Sequence, residues 1–268
     1  MDAVTAPTPS ALERILRRDR QVMAVGLAAV TALAWIYLVR SAAAMNAMSM
    51  EAQMHVAMGM VMTPIWGFGE WLNLFVMWAV MMIAMMTPSA APVMLLVLGT
   101  YRRRNDRRAR ASASMFVAGY LLAWTVFSAI VSALQVALHQ AAFLAADMRI
   151  EPSTWAGLVL IVAALYQWLP IKDACLAQCR SPLGLIAHYW REGPTGGLSM
   201  GVRHGLYCVG CCWLLMALLF VVGVMNLLWI AAIAALVFLE KLVRGGPTIG
   251  RVAGVAMGGW GIYLIALR

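Results

Sequence analysis

The sequence predicts an all-α protein, a polytopic integral membrane bundle of about seven transmembrane helices with a cytoplasmic N-terminus. Three observations predict it. First, 63% of the 268 residues are apolar and only 12% are charged, whereas soluble domains carry roughly 25% charged residues. A water-soluble globule, a disordered chain and a disulfide-stapled secreted domain are thereby excluded. Second, the apolar residues fall into runs of about 20, long enough to cross a bilayer core of about 30 Å as helices. Third, the basic residues sort to one side of the resulting model. With the N-terminus inside, seventeen of the 20 Lys and Arg lie in inner segments, and only Arg40, Arg149 and Arg268 lie outside. Basic residues distributed in this way report orientation. The formal charge of +9 therefore implies a lipid bilayer as partner and no nucleic acid.

The elements follow in order along a short cytoplasmic tail, 1–20, and a single transmembrane domain, 21–268. Residues 21–39 form the first span, an uncleaved anchor, because the run is longer than the 7–15 residues of a signal-peptide core. An outer Met-rich loop occupies 41–71. The second, third and fourth spans are 72–99, 115–138 and 155–171, and a cytoplasmic Cys-containing loop fills 172–203. From Gly205 to Leu242 the chain stays apolar for 38 residues, too long for one crossing. Gly223-Val224-Met225-Asn226 supplies a turn that divides the stretch into spans 205–222 and 226–242. The last span, 252–267, is short and Gly-rich, a composition that favours close helix packing.

Sulfur is concentrated in two places. Thirteen of the 21 methionines lie between Met45 and Met94. Met50, Met54 and Met58 recur at one-turn spacing, with His55 beside Met54. Thioether and imidazole ligands suit copper, thioether selecting Cu(I), so Met54, His55 and Met58 are candidate metal ligands at the outer face. The competing reading is an amphipathic segment that uses Met as an adaptable hydrophobe. In the second span Met77, Met81 and Met85 share a helix face, with Met82 and Met86 on the adjoining one and Pro88 just beyond. They form either a sulfur route or gap-filling packing.

All five cysteines fall within 38 residues. Cys175 and Cys179 are spaced i, i+4; Cys208, Cys211 and Cys212 are spaced i, i+3, i+4, which crowds each group onto one helix face. Thiolates in this number suit copper, with zinc as the alternative, or an iron–sulfur cluster. Lys172, Arg180 and Arg203 are the nearby cations in sequence, and His188 and His204 are additional candidate ligands. Cysteine also packs as a small hydrophobe. Gln135 and Gln167 are expected to make interhelical hydrogen bonds, and Glu240-Lys241 to close the sixth span at the inner face by snorkelling and ion pairing.

The sequence contains no phosphate-binding Gly-x-x-x-x-Gly-Lys-Ser/Thr, no His-Glu-x-x-His and no Gly-x-Ser-x-Gly. ATP-driven pumping by this chain is excluded on that ground.

Four ordered blocks resemble a bacterial family of predicted metal-binding integral membrane proteins of unknown function. Trp78-Ala79-Val80-Met81-Met82-Ile83-Ala84-Met85-Met86-Thr87-Pro88 is similar to its Trp-x-x-Met-x-x-Ala-Met-Met-x-Pro signature. Tyr166-Gln167, Pro170, Lys172, Cys175, Cys179 and Pro182 resemble a second block. Gly201, Gly205, Cys208, Gly210-Cys211-Cys212-Trp213 and Leu215-Met216 resemble a third. Gly223, Met225-Asn226-Leu227, Trp229 and Glu240-Lys241 complete the pattern. The resemblance adds weight to Met81, Met85, Met86, Cys175, Cys179, Cys208, Cys211 and Cys212 as metal ligands; the outer Met-rich loop is not part of it.

The expected function is copper handling by capture, delivery or transport in the bacterial inner membrane, with a metallochaperone or membrane-complex partner. A membrane thiol or metal redox enzyme and a structural subunit of a membrane complex are the alternatives.

Overall fold

A computed structural model describes residues 11–57, 67–104, 106, 108–141, 150 and 153–266, with backbone only for 11–17, 46, 48–57 and 182. Ten helices are formed among the described residues. They are α1 (Ala11–Ala57), α2 (Phe68–Arg103), α3 (Ala109–Gln140), α4 (Ser153–Tyr166), α5 (Pro170–Arg180), α6 (Pro182–Tyr189), α7 (Gly193–Ala217), α8 (Leu219–Val222), α9 (Leu227–Leu242) and α10 (Gly246–Ala266).

Five stretches are long and apolar enough to cross a membrane: Arg18–Met45, Phe68–Arg103, Ala109–Gln140, Gly193–Val222 and Gly246–Ala266. A sixth is the pair α4 and α5, if the two together make one span. The expected count of about seven is thus supported for five to six. The difference lies in α9, whose 16 residues fall short of the roughly 20 that a full crossing needs.

Local chemistry explains most of the breaks. The expected span 155–171 ends at Tyr166, and the axis turns by 64° before α5. Pro170 opens α5, and the preceding Leu169 is extended at φ −75°, ψ 136°, because the proline ring disfavours helical geometry in the residue before it. Ser181 caps α6, its hydroxyl accepting from the Gly184 N–H, and Pro182 sits in the first turn, where a missing N–H costs nothing. Asn226 caps α9 in the same way, accepting from the Trp229 N–H. Gly223 has φ 96°, so the turn between α8 and α9 requires glycine.

Two expected loops are corrected. Residues 172–203 are not a loop; they are helical in α5, α6 and the first turns of α7. Pro182 and Pro194 each stand at the start of a helix. Residues 41–57 likewise continue α1 as helix, and the 47-residue α1 is roughly 70 Å long, far beyond a bilayer core.

Glycine decides the tightest packing. Gly197 and Gly201 of α7 lie against α3 so closely that a Cβ at Gly201 would sit 2.0 Å from the Phe116 carbonyl oxygen, and one at Gly197 2.1 Å from that of Ser112. The α4–α10 contact repeats the device with Gly157 against Gly261. Close backbone approach of this kind is how helices associate where lipid removes the hydrophobic drive. At one end of the bundle, buried Asp19 of α1 pairs with Arg102 of α2 and, at 2.7 Å, with Arg110 of α3. The Tyr101 hydroxyl donates to the Arg191 carbonyl at 2.8 Å. The starts of α1, α3 and α7 and the end of α2 therefore share this basic end.

Candidate metal centre

The site is built on α7. Spacing of i, i+3, i+4 puts Cys208, Cys211 and Cys212 on one face, and all three are buried to 1% exposure. They lie in the body of α7, with Cys208 roughly 22 Å along the axis from Gly193. The break at Leu169–Pro170 then lays the amphipathic α5 across that face, with Lys172, Leu176 and Cys179 as its buried side. Cys179 Sγ reaches 3.9 Å from Cys211 Sγ. Tyr166, at the end of α4, donates its hydroxyl to the Gly210 carbonyl, tying the break to α7 beside the thiols.

The second wall is α2. Met86 is completely buried, and its Sδ lies 3.9 Å from Cys212 Sγ. The Met86 carbonyl accepts from the hydroxyls of Ser89 (2.9 Å) and Tyr120 (3.3 Å). Tyr120 OH also lies 3.1 Å from Cys208 Sγ. From α9, Lys241 Nζ is 2.9 Å from Cys208 Sγ and 3.3 Å from Ser89 Oγ. Four thiols and a thioether from three helices thus gather in one buried cluster, with the Lys241 ammonium against Cys208.

Cys179, Cys208, Cys211, Cys212 and Met86 come together. Cys175 is half-buried at the rim, packed against Gly210, where a Cβ would lie 3.0 Å from its Sγ. Met81 and Met85 are buried in the same core, but the thioether that meets the thiols is that of Met86. The side chains of Met54 and His55, and the whole of Met58, lie outside the described residues. His188 is exposed and its Nδ1 faces the Gly184 carbonyl at 3.3 Å. His204, one turn before Cys208, is buried between the Phe116 and Tyr120 rings.

The cations near the thiols differ from those nearest in sequence. Lys172 Nζ is bound to Glu240 at 2.8 Å, both side chains 2% exposed, and donates to the Gln167 side-chain Oε1. Arg180 caps the end of α9, donating to the carbonyls of Glu240, Val243 and Arg244. Arg203 stacks over the Tyr189 ring at 3.6 Å. The cation at the thiols is Lys241. Nor do Glu240 and Lys241 snorkel: both are buried. Neighbours on a helix point about 100° apart, so Glu240 turns to α5 while Lys241 turns to α7 and α2. Two adjacent charges inside an apolar run were the available signal, since intramembrane ionisable residues are functional candidates by default. Tyr120 and Ser89 carry no such signal in sequence.

Soft sulfur donors in a dry setting suit a monovalent soft metal. Two metal–sulfur bonds of about 2.3 Å each, at a wide angle, span roughly 4 Å, close to the 3.9 Å between Cys179 and Cys211 Sγ. Among the described residues no group of three or more His, Cys, Asp or Glu side chains is set to hold a metal ion as it stands. The thiols of Cys211 and Cys212 are turned back onto the Cys208 carbonyl, at 3.1 and 2.8 Å, and rotation about χ1 is what would redirect them.

A protein-family model, PpoB2, described as copper chaperone, matches residues 75–264, more than two thirds of the chain. The chain belongs to this copper chaperone family. The matched region contains every residue of the sulfur cluster and Lys241, and it excludes α1 and the Met-rich segment at 45–62. No curated protein and no solved structure matches the chain.

Proposed function

We propose that this protein is an inner-membrane copper chaperone, oriented with its basic end in the cytoplasm, that holds Cu(I) as cargo among Cys179, Cys208, Cys211, Cys212 and Met86 and passes it to a partner protein. The observation that carries the reading is the convergence of four thiols and one thioether from α2, α5 and α7 in a buried cluster. Membership of a copper chaperone family supports copper over zinc. Cys175 is the transfer thiol: half-buried on α5, one turn before Cys179, it links the dry cluster to the surface and hands the ion on by ligand exchange. Met54, His55 and Met58 serve as the outer capture group, with Met81 and Met85 between the two.

The test is elemental analysis and anaerobic Cu(I) titration of detergent-purified full-length protein. Wild type is expected to retain near-stoichiometric copper, and a variant with Ser at all five cysteines to lose it. Equal copper content in both proteins would remove the proposal.

One observation favours a second reading. With 3.9 Å between Cys179 and Cys211 Sγ, the pair is close enough to cycle between dithiol and disulfide. Alkylation trapping decides: a disulfide population that tracks cellular redox state, in protein that binds no copper, would make this a thiol redox protein.

A further inference from the structure

Among the described residues the buried charges do not balance without sulfur. Lys172 and Glu240 neutralise each other at 2.8 Å. Asp19 is paired with Arg102 and Arg110 at the basic end. Lys241 is 7% exposed, and the carboxylate beside it in sequence, Glu240, is committed to Lys172. The contacts of the Lys241 ammonium are Cys208 Sγ at 2.9 Å and the Ser89 hydroxyl at 3.3 Å. A buried ammonium without a counter-charge is costly, and the Cys208 thiol that faces it is a group that becomes anionic when it ligates a metal.

From this geometry we infer that Lys241 is the counter-ion of the copper complex, a positioning residue that makes the occupied site electrically neutral. The inference rests on the reading of the cluster as a Cu(I) site. One Cu(I) between two thiolates carries a net charge of −1. In water that charge is solvated, but in a dry helix bundle it must be matched locally, because charge in the membrane interior is expensive unless paired. The Lys241 ammonium brings the sum to zero. Ser89 and Tyr120 complete the cradle: Ser89 Oγ accepts from Lys241 Nζ while donating to the Met86 carbonyl, and Tyr120 OH bridges Cys208 Sγ to the same carbonyl. Lys241 is thereby fixed relative to both the thiol and the thioether wall. It does not ligate the metal; it acts through Cys208.

The experiment is anaerobic competition for Cu(I) between the full-length protein and a chromophoric Cu(I) chelator, comparing wild type with Lys241→Gln and Lys241→Arg. Thermal melting in the same detergent is measured in parallel. Gln removes the charge at similar length, and Arg keeps it. Lys241→Gln is expected to weaken Cu(I) retention by at least ~10-fold, with Lys241→Arg within ~3-fold of wild type and Lys241→Gln melting no lower than the Arg variant. Retention by Lys241→Gln equal to or tighter than wild type would overturn the counter-ion role. Equal losses in Gln and Arg variants would overturn it too, since they would assign Lys241 a packing role. Should Lys241→Gln fail to fold, Lys241→Leu, which is uncharged, apolar and carries no metal-binding atom, takes its place under the same criteria. Absence of Cu(I) binding by wild type is a different result and would remove the copper reading itself.

Discussion

Individual side chains divide the site into a dry interior and a rim. Cys208, Cys211, Cys212 and Met86 are all but inaccessible, whereas Cys175 is half-buried. Cys175→Ser is therefore expected to leave copper stoichiometry near wild type and to slow copper transfer to an external thiol acceptor by about tenfold or more, because ligand exchange depends on thiolate access. Stopped-flow transfer to a colourless thiol chelator, set beside elemental analysis, checks this; an unchanged transfer rate would remove Cys175 from the route. A second residue-scale expectation concerns the ion pair under α5. Glu240→Gln strands the Lys172 ammonium among buried groups, and breaking a buried pair costs about 3–5 kcal/mol. Thermal unfolding in detergent should show that loss, and the double variant Lys172→Met, Glu240→Met should recover most of it, since replacing both charges by apolar groups is often neutral.

At the scale of elements, the centre depends on two features of backbone geometry. The extended Leu169 before Pro170 turns α5 so that Cys179 faces α7. The glycine face of α7 lets α3 approach until Tyr120 reaches Cys208. Gly201→Leu should separate these helices, because any side chain there meets the Phe116 carbonyl. Overpacking typically costs about 1–3 kcal/mol, so the melting temperature should fall. Copper retention should fall with it as Tyr120 withdraws from Cys208. Gly26→Leu on α1, where an added Cβ meets nothing within 4 Å, is the control expected to change neither. The same elements show the limits of reading a line of residues. The i, i+4 spacing of Cys175 and Cys179 was legible as a helix face, yet 172–203 read as a loop between spans, and it is largely helical in α5, α6 and the first turns of α7. Likewise the run 226–242 looks like a span, and α9 is 16 residues long.

For the whole molecule, the charged end formed by Asp19, Arg102, Arg110 and the starts of α3 and α7 lies opposite the end of α3 at Ala141. In the proposed orientation, a single cysteine at Arg104 in a Cys-less background should react with a membrane-impermeant maleimide only after the cytoplasmic face is opened. One at Ala141 should react from outside in intact cells. The reverse pattern would invert the orientation and place the transfer thiol Cys175 on the wrong side for a cytoplasmic partner.

The amino-acid sequence by itself determined the helical class: apolar composition and run length favour helices long enough to cross a membrane, where a backbone must satisfy its own hydrogen bonds. It also marked Cys175, Cys179, Cys208, Cys211 and Cys212, with Met81, Met85, Met86, Met54, His55 and Met58, as candidate ligands, because helical periodicity places residues three and four apart on one face and the family resemblance runs through the cysteines and Met81, Met85 and Met86. Only the tertiary structure decided which faces meet. It brought Met86 rather than Met81 or Met85 to the thiols, since these buried residues point in different directions around α2 and the approach of α7 decides which thioether it meets. It exchanged Lys172 for Lys241 as the cation beside sulfur, because proximity in sequence says nothing about which partner a long side chain reaches across a helix interface. Contacts between helices come from the rotation and approach of whole elements, and those are determined by the sum of glycine contacts, prolines and buried charges distributed over the chain.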